Sequence, residues 1–179
     1  LTVYIMFFLL PVDMLNGVLL TNDINLPLSV SQILKMLLLF LMFISFIKHP
    51  RYLFYSVGLS IILLIPTFFQ IIQFKGISLI FKDLIKISKY LIPVFSFFFF
   101  YIYLKKNTAS LIFKLVYFSY FILIGNILIK HVGFGYPMYN YDDIGSKGFF
   151  YAGNEISALL LILSSIVSFK IWNRNKYLY

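Results

Sequence analysis

The sequence has no cysteine, so disulfides, thiolate zinc sites, iron–sulfur clusters and thiol nucleophiles are all excluded. Its two histidines are too few for a histidine-rich metal cage. Acids are scarce: 6 Asp and Glu stand against 15 Lys and Arg, giving a net charge of +9. Charged residues of either sign make up 12% of the 179 residues, where a soluble domain carries about a quarter. What remains is apolar. The chain is 61% hydrophobic, its mean hydropathy is +0.94, and 22 Phe and 14 Tyr bring the aromatic share to 21%. One small core in water cannot hide so much apolar surface, whereas a bilayer can. The rings suit the membrane core and, for Tyr, its interface. The positive charge is scattered along the chain. It points to loops held against anionic membrane lipids and not to nucleic acid.

The expected fold is therefore all-α: a polytopic transmembrane helical bundle of about six membrane spans plus one basic amphipathic interfacial helix. It would form a single integral membrane domain over residues 1–179. A crossing helix needs roughly 20 apolar residues. Stretches at about 3–20, 29–47, 53–72, 90–104, 111–129 and 153–171 come near that length, the fourth being short and open to extension backwards. Pro11, Pro66 and Pro93 lie within spans and read as kinks, because neighbouring helices can satisfy the freed carbonyls. Residues 1–20 are too long, and too directly followed by further spans, for a cleaved signal peptide. Connections are short and basic at Lys48-His49-Pro50-Arg51 and Lys105-Lys106-Asn107, and Lys130–Ala152 is the one sizeable loop.

Within Phe74–Tyr90, Lys75, Lys82, Lys86 and Lys89 fall on one helical face, and Ile77, Ile80, Phe81, Leu84 and Ile87 on the other. That spacing predicts a basic amphipathic helix in the interface. It would serve either as a headgroup anchor or as a platform for an anionic lipid-linked substrate. The basic turns favour a cytoplasmic N-terminus, at the cost of placing the lysines of 75–89 outside.

Intramembrane polar groups are costly, about 2.5–3.5 kcal/mol for a charge at the bilayer centre on insertion scales. Asp13 and Asn16 share a face of the first span, and Gln32 and Lys35 share one on the second. An Asp13–Lys35 contact would neutralise both. Lys35 alternatively snorkels to the interface, or aims its charge at a phosphate from within the bundle. Asn126 reads as an interhelical hydrogen-bonding group.

The loop HVGFGYPMYNYDDIGSKGFFYAGNE, residues 131–155, is unlike the rest of the chain. Gly133, Gly135, Gly145, Gly148 and Gly153 allow tight turns. Tyr136, Tyr139, Tyr141 and Tyr151 offer flat faces with hydroxyl edges. Asp142 and Asp143 supply acceptors, and Lys130, His131 and Lys147 supply donors. Sugars present apolar ring faces ringed by hydroxyls, so this mixture suits a glycan; an interfacial aromatic belt around an ordinary turn accounts for it equally. The adjacent Asp142-Asp143 pair lacks the Asp-x-Asp spacing of metal-dependent nucleotide-sugar sites, so no metal is expected. Asn154 and Glu155 open the last span, where the helix dipole favours Glu155. Ser157, Ser164, Ser165 and Ser168 follow on the same helix and suggest protein or cavity contact.

The run KGFFYAGNEISALLLIL, 147–163, resembles a segment of bacterial O-antigen polymerase and O-antigen ligase family proteins, in which a Gly-aromatic stretch leads into an Asn at the mouth of a membrane helix. The run DMLNGVLL…LPLSVSQILKMLLLF, 13–40, is similar to their start, an Asp/Asn-Gly helix followed by a Ser-x-x-Gln-x-x-basic helix. The resemblance implies a metal-independent, cofactor-free glycosyltransferase of the bacterial inner membrane. Its partner would be an undecaprenyl-pyrophosphate-linked glycan, with a chain-length regulator and other glycan assembly proteins as candidate associates. The reaction would extend surface polysaccharide such as O-antigen or capsule, or ligate glycan to lipid A core in lipopolysaccharide. Carried over, Lys35 matches the basic position of the second helix, and Lys147, Gly148 and Asn154 match the loop-to-helix motif. Glu155 lies beside that motif. Lys130 and His131 join on chemistry alone, as a cation and a base. Tyr139, Tyr141 and Asp142 are the candidate glycan contacts, and the loop is expected on the outer, periplasmic side. The family's large external loop has no counterpart here, so the chain reads as an N-terminal portion of a longer protein, with activity in isolation an open point. Polymerase is the preferred reading, over ligase, over a lipid-linked-oligosaccharide flippase or transporter, and over a non-catalytic membrane scaffold.

Overall fold

The computed structural model describes residues 1–24, 26, 28–72, 78–138 and 145–174. Among them are seven α-helices: α1 (Thr2–Met6), α2 (Leu9–Thr21), α3 (Val30–Phe46), α4 (Pro50–Ile72), α5 (Ser78–Lys106), α6 (Ser110–Leu128) and α7 (Gly153–Arg174). A 3₁₀ turn, Ile129–Val132, prolongs α6. No strand occurs among the described residues; the one β feature is an isolated bridge between Tyr136 and Gly148. Among the described residues, five helical stretches are long and apolar enough to cross a membrane, and α3 is an apolar helix slightly shorter than these. Their side chains face outward in large numbers: Phe54 is 75% exposed and Ile72 72%. An apolar surface of that extent has lipid, not water, as its compatible solvent. The chain is an all-α membrane protein.

The three prolines of the spans act in two different ways. Pro11 cannot bond back to the carbonyl of Phe7, and its ring crowds that carbonyl. The chain meets this by interrupting the α-helix within the first span, Thr2–Thr21. Phe7 and Phe8 donate to Tyr4 and Ile5 in tight 3₁₀ fashion, and α2 starts afresh at Leu9 with Pro11 in its first turn. Pro66 and Pro93 stay inside α4 and α5. α5 takes in both the basic amphipathic stretch and the fourth span as one helix of 29 residues, so no separate interfacial helix stands between Ser78 and Tyr90. Nothing in that stretch breaks a helix: Leu, Ile and Lys carry it, and no Gly or Pro precedes Pro93. Residues 73–77, Lys75 and Ile77 included, lie outside the described residues.

The described chain packs into two compact units. One comprises residues 3–31 and 109 onward, that is α2, α6, the long loop and α7. Its centre is Leu123, Phe150 and Ile156, with Leu10, Met14, Ile127, Leu160 and Leu163 around them. The other comprises residues 32–108. There Leu38, Met42 and Phe46 recur at helical spacing on α3 and are almost completely buried, and Phe46 meets Phe95 and Phe98 of α5 edge-on.

Candidate functional site: a loop sunk into the mouth of a helical unit

The site begins with two helix ends. α2 stops after Thr21 in a Schellman arrangement: Asp23 donates to the Leu20 carbonyl, Ile24 reaches back to Leu19, and Asp23 takes a left-handed φ of 58°. Asp is one of the few non-glycine residues that adopt that conformation at modest cost. The extension of α6 ends in the same way, with Gly133 at φ 86° donating to Lys130 and Phe134 donating to Ile129. At both ends the left-handed residue lets the main chain turn back onto carbonyls of the last turn.

From Gly133 the loop folds back on itself. Tyr136 N–H donates to the Gly148 carbonyl at 2.8 Å, and Lys147 N–H to the Tyr136 carbonyl at 3.1 Å. Gly135, at φ 89°, packs onto the backbone of Gly148, where an added Cβ would come within 3.1 Å of Cα. Met138 rests against Gly145 and Gly153, drawing the two ends of the loop together. Phe149 lies edge-on to Tyr136.

The segment Lys147–Tyr151 is not a surface turn. Its floor is Gly17 of α2, where any Cβ would overlap the Phe149 carbonyl. Gly17 lies four residues, about 6 Å, inside the end of α2. Its other wall is Asn126 of α6, 2% exposed. Asn126 Nδ2 donates to the Lys147 carbonyl at 3.0 Å, and its Oδ1 accepts from Phe149 N–H at 2.8 Å. Between these two contacts sits Gly148, buried at φ 56°; an added Cβ there would overlap the carbonyl and side-chain amide of Asn126. Phe150 then drops its ring into the core beside Leu123 and Ile156. Irregular backbone at this depth survives only when its polar groups find partners in the protein. Asn126 supplies that partner with both ends of one amide. It was expected to bond between helices; it bonds a loop to a helix instead, because the loop enters the bundle.

The candidate residues divide accordingly. Lys147 is half-buried and places its ammonium 5.9 Å from the centre of the exposed Tyr151 ring. Gly148 is the pivot of the clamp. Lys130 donates through Nζ to the Gly145 carbonyl at 2.8 Å, two residues from Lys147. His131 is exposed and, with Lys130, Gly145 and Ser146, lines a concavity of about 350 Å³. Glu155 is exposed in the first turn of α7. Asn154 is the second residue of that helix. The loop thus collects Lys130, His131, Lys147, Gly148 and the opening of α7. Lys35 is half-buried on α3 and belongs to the other unit. Tyr139, Tyr141, Asp142 and Asp143 lie outside the described residues. Asp13 accepts a hydrogen bond from Ser31, which is itself 5% exposed, so the first-span acid is engaged by a hydroxyl at the start of α3. Ser164 and Ser165 donate to the carbonyl of Leu161 in their own helix. No cluster of metal-ligating side chains occurs among the described residues.

Two residues matter more than the sequence alone indicates. Gly17 stands in the quoted Asn-Gly pair of the first span, yet only the loop that crosses it explains the glycine. Asn126 carried a signal, a carboxamide in an otherwise apolar last turn, but no sign of its partner 21 residues on. Comparison with models of protein families, with curated proteins and with solved structures finds no match to this chain.

Proposed function

We propose that the chain belongs to a surface-polysaccharide polymerase of the bacterial inner membrane, transferring glycan from an undecaprenyl-pyrophosphate carrier to a lipid-linked acceptor. The observation that supports this reading most is the clamp on Lys147–Phe149. A cation is set at the mouth of a helical bundle on backbone that Gly17 and Asn126 hold in place. Preorganised charge of this kind stabilises a leaving group as its negative charge develops. In the reaction, an acceptor hydroxyl oxygen bonds to the anomeric carbon of the donor glycan. The bond from that carbon to the pyrophosphate oxygen breaks, and undecaprenyl pyrophosphate departs with the electron pair. Lys147 and Lys130 are the candidate cations for the pyrophosphate. His131, exposed at the neighbouring concavity, is the candidate base for the acceptor proton. The lipid carrier would keep the reacting glycan at the membrane boundary; the loop connects the apolar helices α6 and α7.

Complementation of a deletion strain with the full gene carrying Lys147→Ala, Lys147→Arg or Asn154→Ala, with surface glycans resolved by length, tests the reading. Loss of the ladder with Lys147→Ala and its partial return with Lys147→Arg is the expected result. Normal ladders from both alanine variants remove the site. Single repeat units accumulating at the surface in the deletion strain support a polymerase, and failure of units to leave the cytoplasm supports a flippase instead.

A further inference from the structure

The second unit carries a feature that the glycan reading does not use. α3 ends and α4 begins at Lys48-His49-Pro50-Arg51, and α5 ends at Lys105-Lys106-Asn107. These termini enclose a concavity of about 320 Å³ whose lining includes Ile44, Lys48, His49, Phe99, Ile102 and Lys106. Lys106 Nζ stands 3.4 Å from His49 Nε2. An imidazole can offer a ring N–H beside that ammonium. Lys48 and Lys106 are exposed at the rim, with Arg51 and Lys105 close by in the sequence. Positive charge collects here with little to oppose it. Across residues 32–108 the single carboxylate is Asp83, 23 residues before Lys106 on the same helix, hence about 34 Å away.

We propose that this concavity is a binding site for the phosphodiester headgroup of an anionic phospholipid. Two Lys and a His donor supply charge-assisted bonds to phosphate oxygens. Ile44, Phe99 and Ile102 supply an apolar wall, which a free hydrated phosphate would gain nothing from touching. That wall runs onto lipid-compatible surface, since Ile44 is 44% exposed and Ile47 59%. An amphiphile satisfies both halves at once: phosphate on the basic rim, glycerol backbone and upper acyl chain along the apolar side. The helix ends place the rim at a membrane boundary, the depth at which a headgroup resides. The site would fix this end of the α3–α5 unit to anionic lipid, and it is independent of the glycosyl-transfer reading.

The test uses the full-length protein in phosphatidylcholine nanodiscs containing a phosphatidylglycerol analogue with a photoactivatable group near its phosphate. Labelled peptides are mapped by mass spectrometry. Label is expected on peptides covering 44–49 and 99–107, displaced by unlabelled phosphatidylglycerol but not by phosphatidylcholine. The K48Q/K106Q double variant is expected to lose about tenfold of that label, each charge near the surface contributing a few-fold. The K48R/K106R variant, which keeps the charge and reports on folding, is expected to retain it. Equal label in K48Q/K106Q, equal loss in K48R/K106R, or displacement by phosphatidylcholine would each overturn the proposal. Displacement by millimolar inorganic phosphate would overturn the lipid as occupant and leave a free anion in its place.

Discussion

The two units solve the same problem, holding apolar helices together in an apolar solvent, with different materials. The α3–α5 unit uses rings. Phe46, Phe95, Phe98, Tyr52, Tyr55 and Tyr101 form a chain of tilted and edge-on contacts with centroids 5.5 to 6.4 Å apart. Its hydroxyls turn inward on their own helices, as Ser56 does to Tyr52 and Ser60 to Ser56. The unit containing α2, α6 and α7 uses a polar clamp. Its loop, the Asn126 carboxamide that bonds through both ends, and two glycines without room for a methyl group stand in for much of the ring packing. Lipid is as apolar as Leu, so burying a side chain between membrane helices gains no transfer energy, and fit and hydrogen bonding decide. Ring packing is forgiving under that rule, because small shifts keep most contacts. The clamp is not, since a backbone group left unpaired inside the bundle has no water to turn to.

That contrast is most directly broken at Gly17. Gly17→Val should push the Lys147–Tyr151 segment off α2 altogether, because the added carbons fall on the backbone of Phe149 and cannot be accommodated by rotamer change. Hydrogen exchange should show the amides of Phe149 and Phe150 losing protection while those of α4 and α5 keep theirs. Loss of protection in both regions would mean that the two units do not behave separately. Asn126→Ala comes next, at about 2–4 kcal/mol against the docked loop, since a buried acceptor and a buried donor are orphaned together. Asn126→Asp should cost at least as much as Ala: one carboxylate oxygen still accepts from Phe149 N–H, but the other faces the Lys147 carbonyl and a charge is buried. A cost below that of Ala would show that the acceptor arm outweighs both. Phe46→Ala probes the ring-packed unit. With no transfer term to lose, about 2 kcal/mol is expected from the unfilled volume, below the 3–5 kcal/mol of a water-soluble core. Thermal unfolding in a fixed detergent measures it. A cost as large as in soluble cores would return the hydrophobic effect to this unit. Smallest is Lys105→Gln, which removes a cation 4.5 Å from the Tyr101 ring at an exposed position. A change below about 1 kcal/mol is expected in the same melt.

The spans were legible because length and apolar composition are properties of a single segment. The short basic turns at Lys48 and Lys105 marked their ends, and helices α3, α4, α6 and α7 fall where the apolar runs do. The amphipathic lysine pattern was legible as a face, but not as a separate helix. Periodicity reports which side a residue takes; it does not report whether the helix stops, and without a breaker between Ser78 and Pro93 it runs on. Pro11 read as a kink within the first span; the α-helix is interrupted at Phe7 and Phe8, where Pro11 leaves the Phe7 carbonyl without its usual donor. The composition of the 131–155 stretch set it apart as a candidate; Lys130 and His131 stand on the turn that ends α6, and Lys130 bonds across to Gly145, two residues from Lys147.

By itself, the sequence determined that this is a helical membrane protein with basic helix ends and one loop of unusual chemistry. Those are consequences of solvent compatibility, residue by residue and segment by segment. Only the tertiary structure decided that the loop descends between α2 and α6, that Asn126 answers its backbone, and that Gly17 and Gly148 are glycines because other backbone lies against them. The same holds for His49 and Lys106, 57 residues apart and 3.4 Å from each other. A close approach between distant segments leaves no periodic trace in either one, since what it requires of each is merely a small or polar residue at a single position.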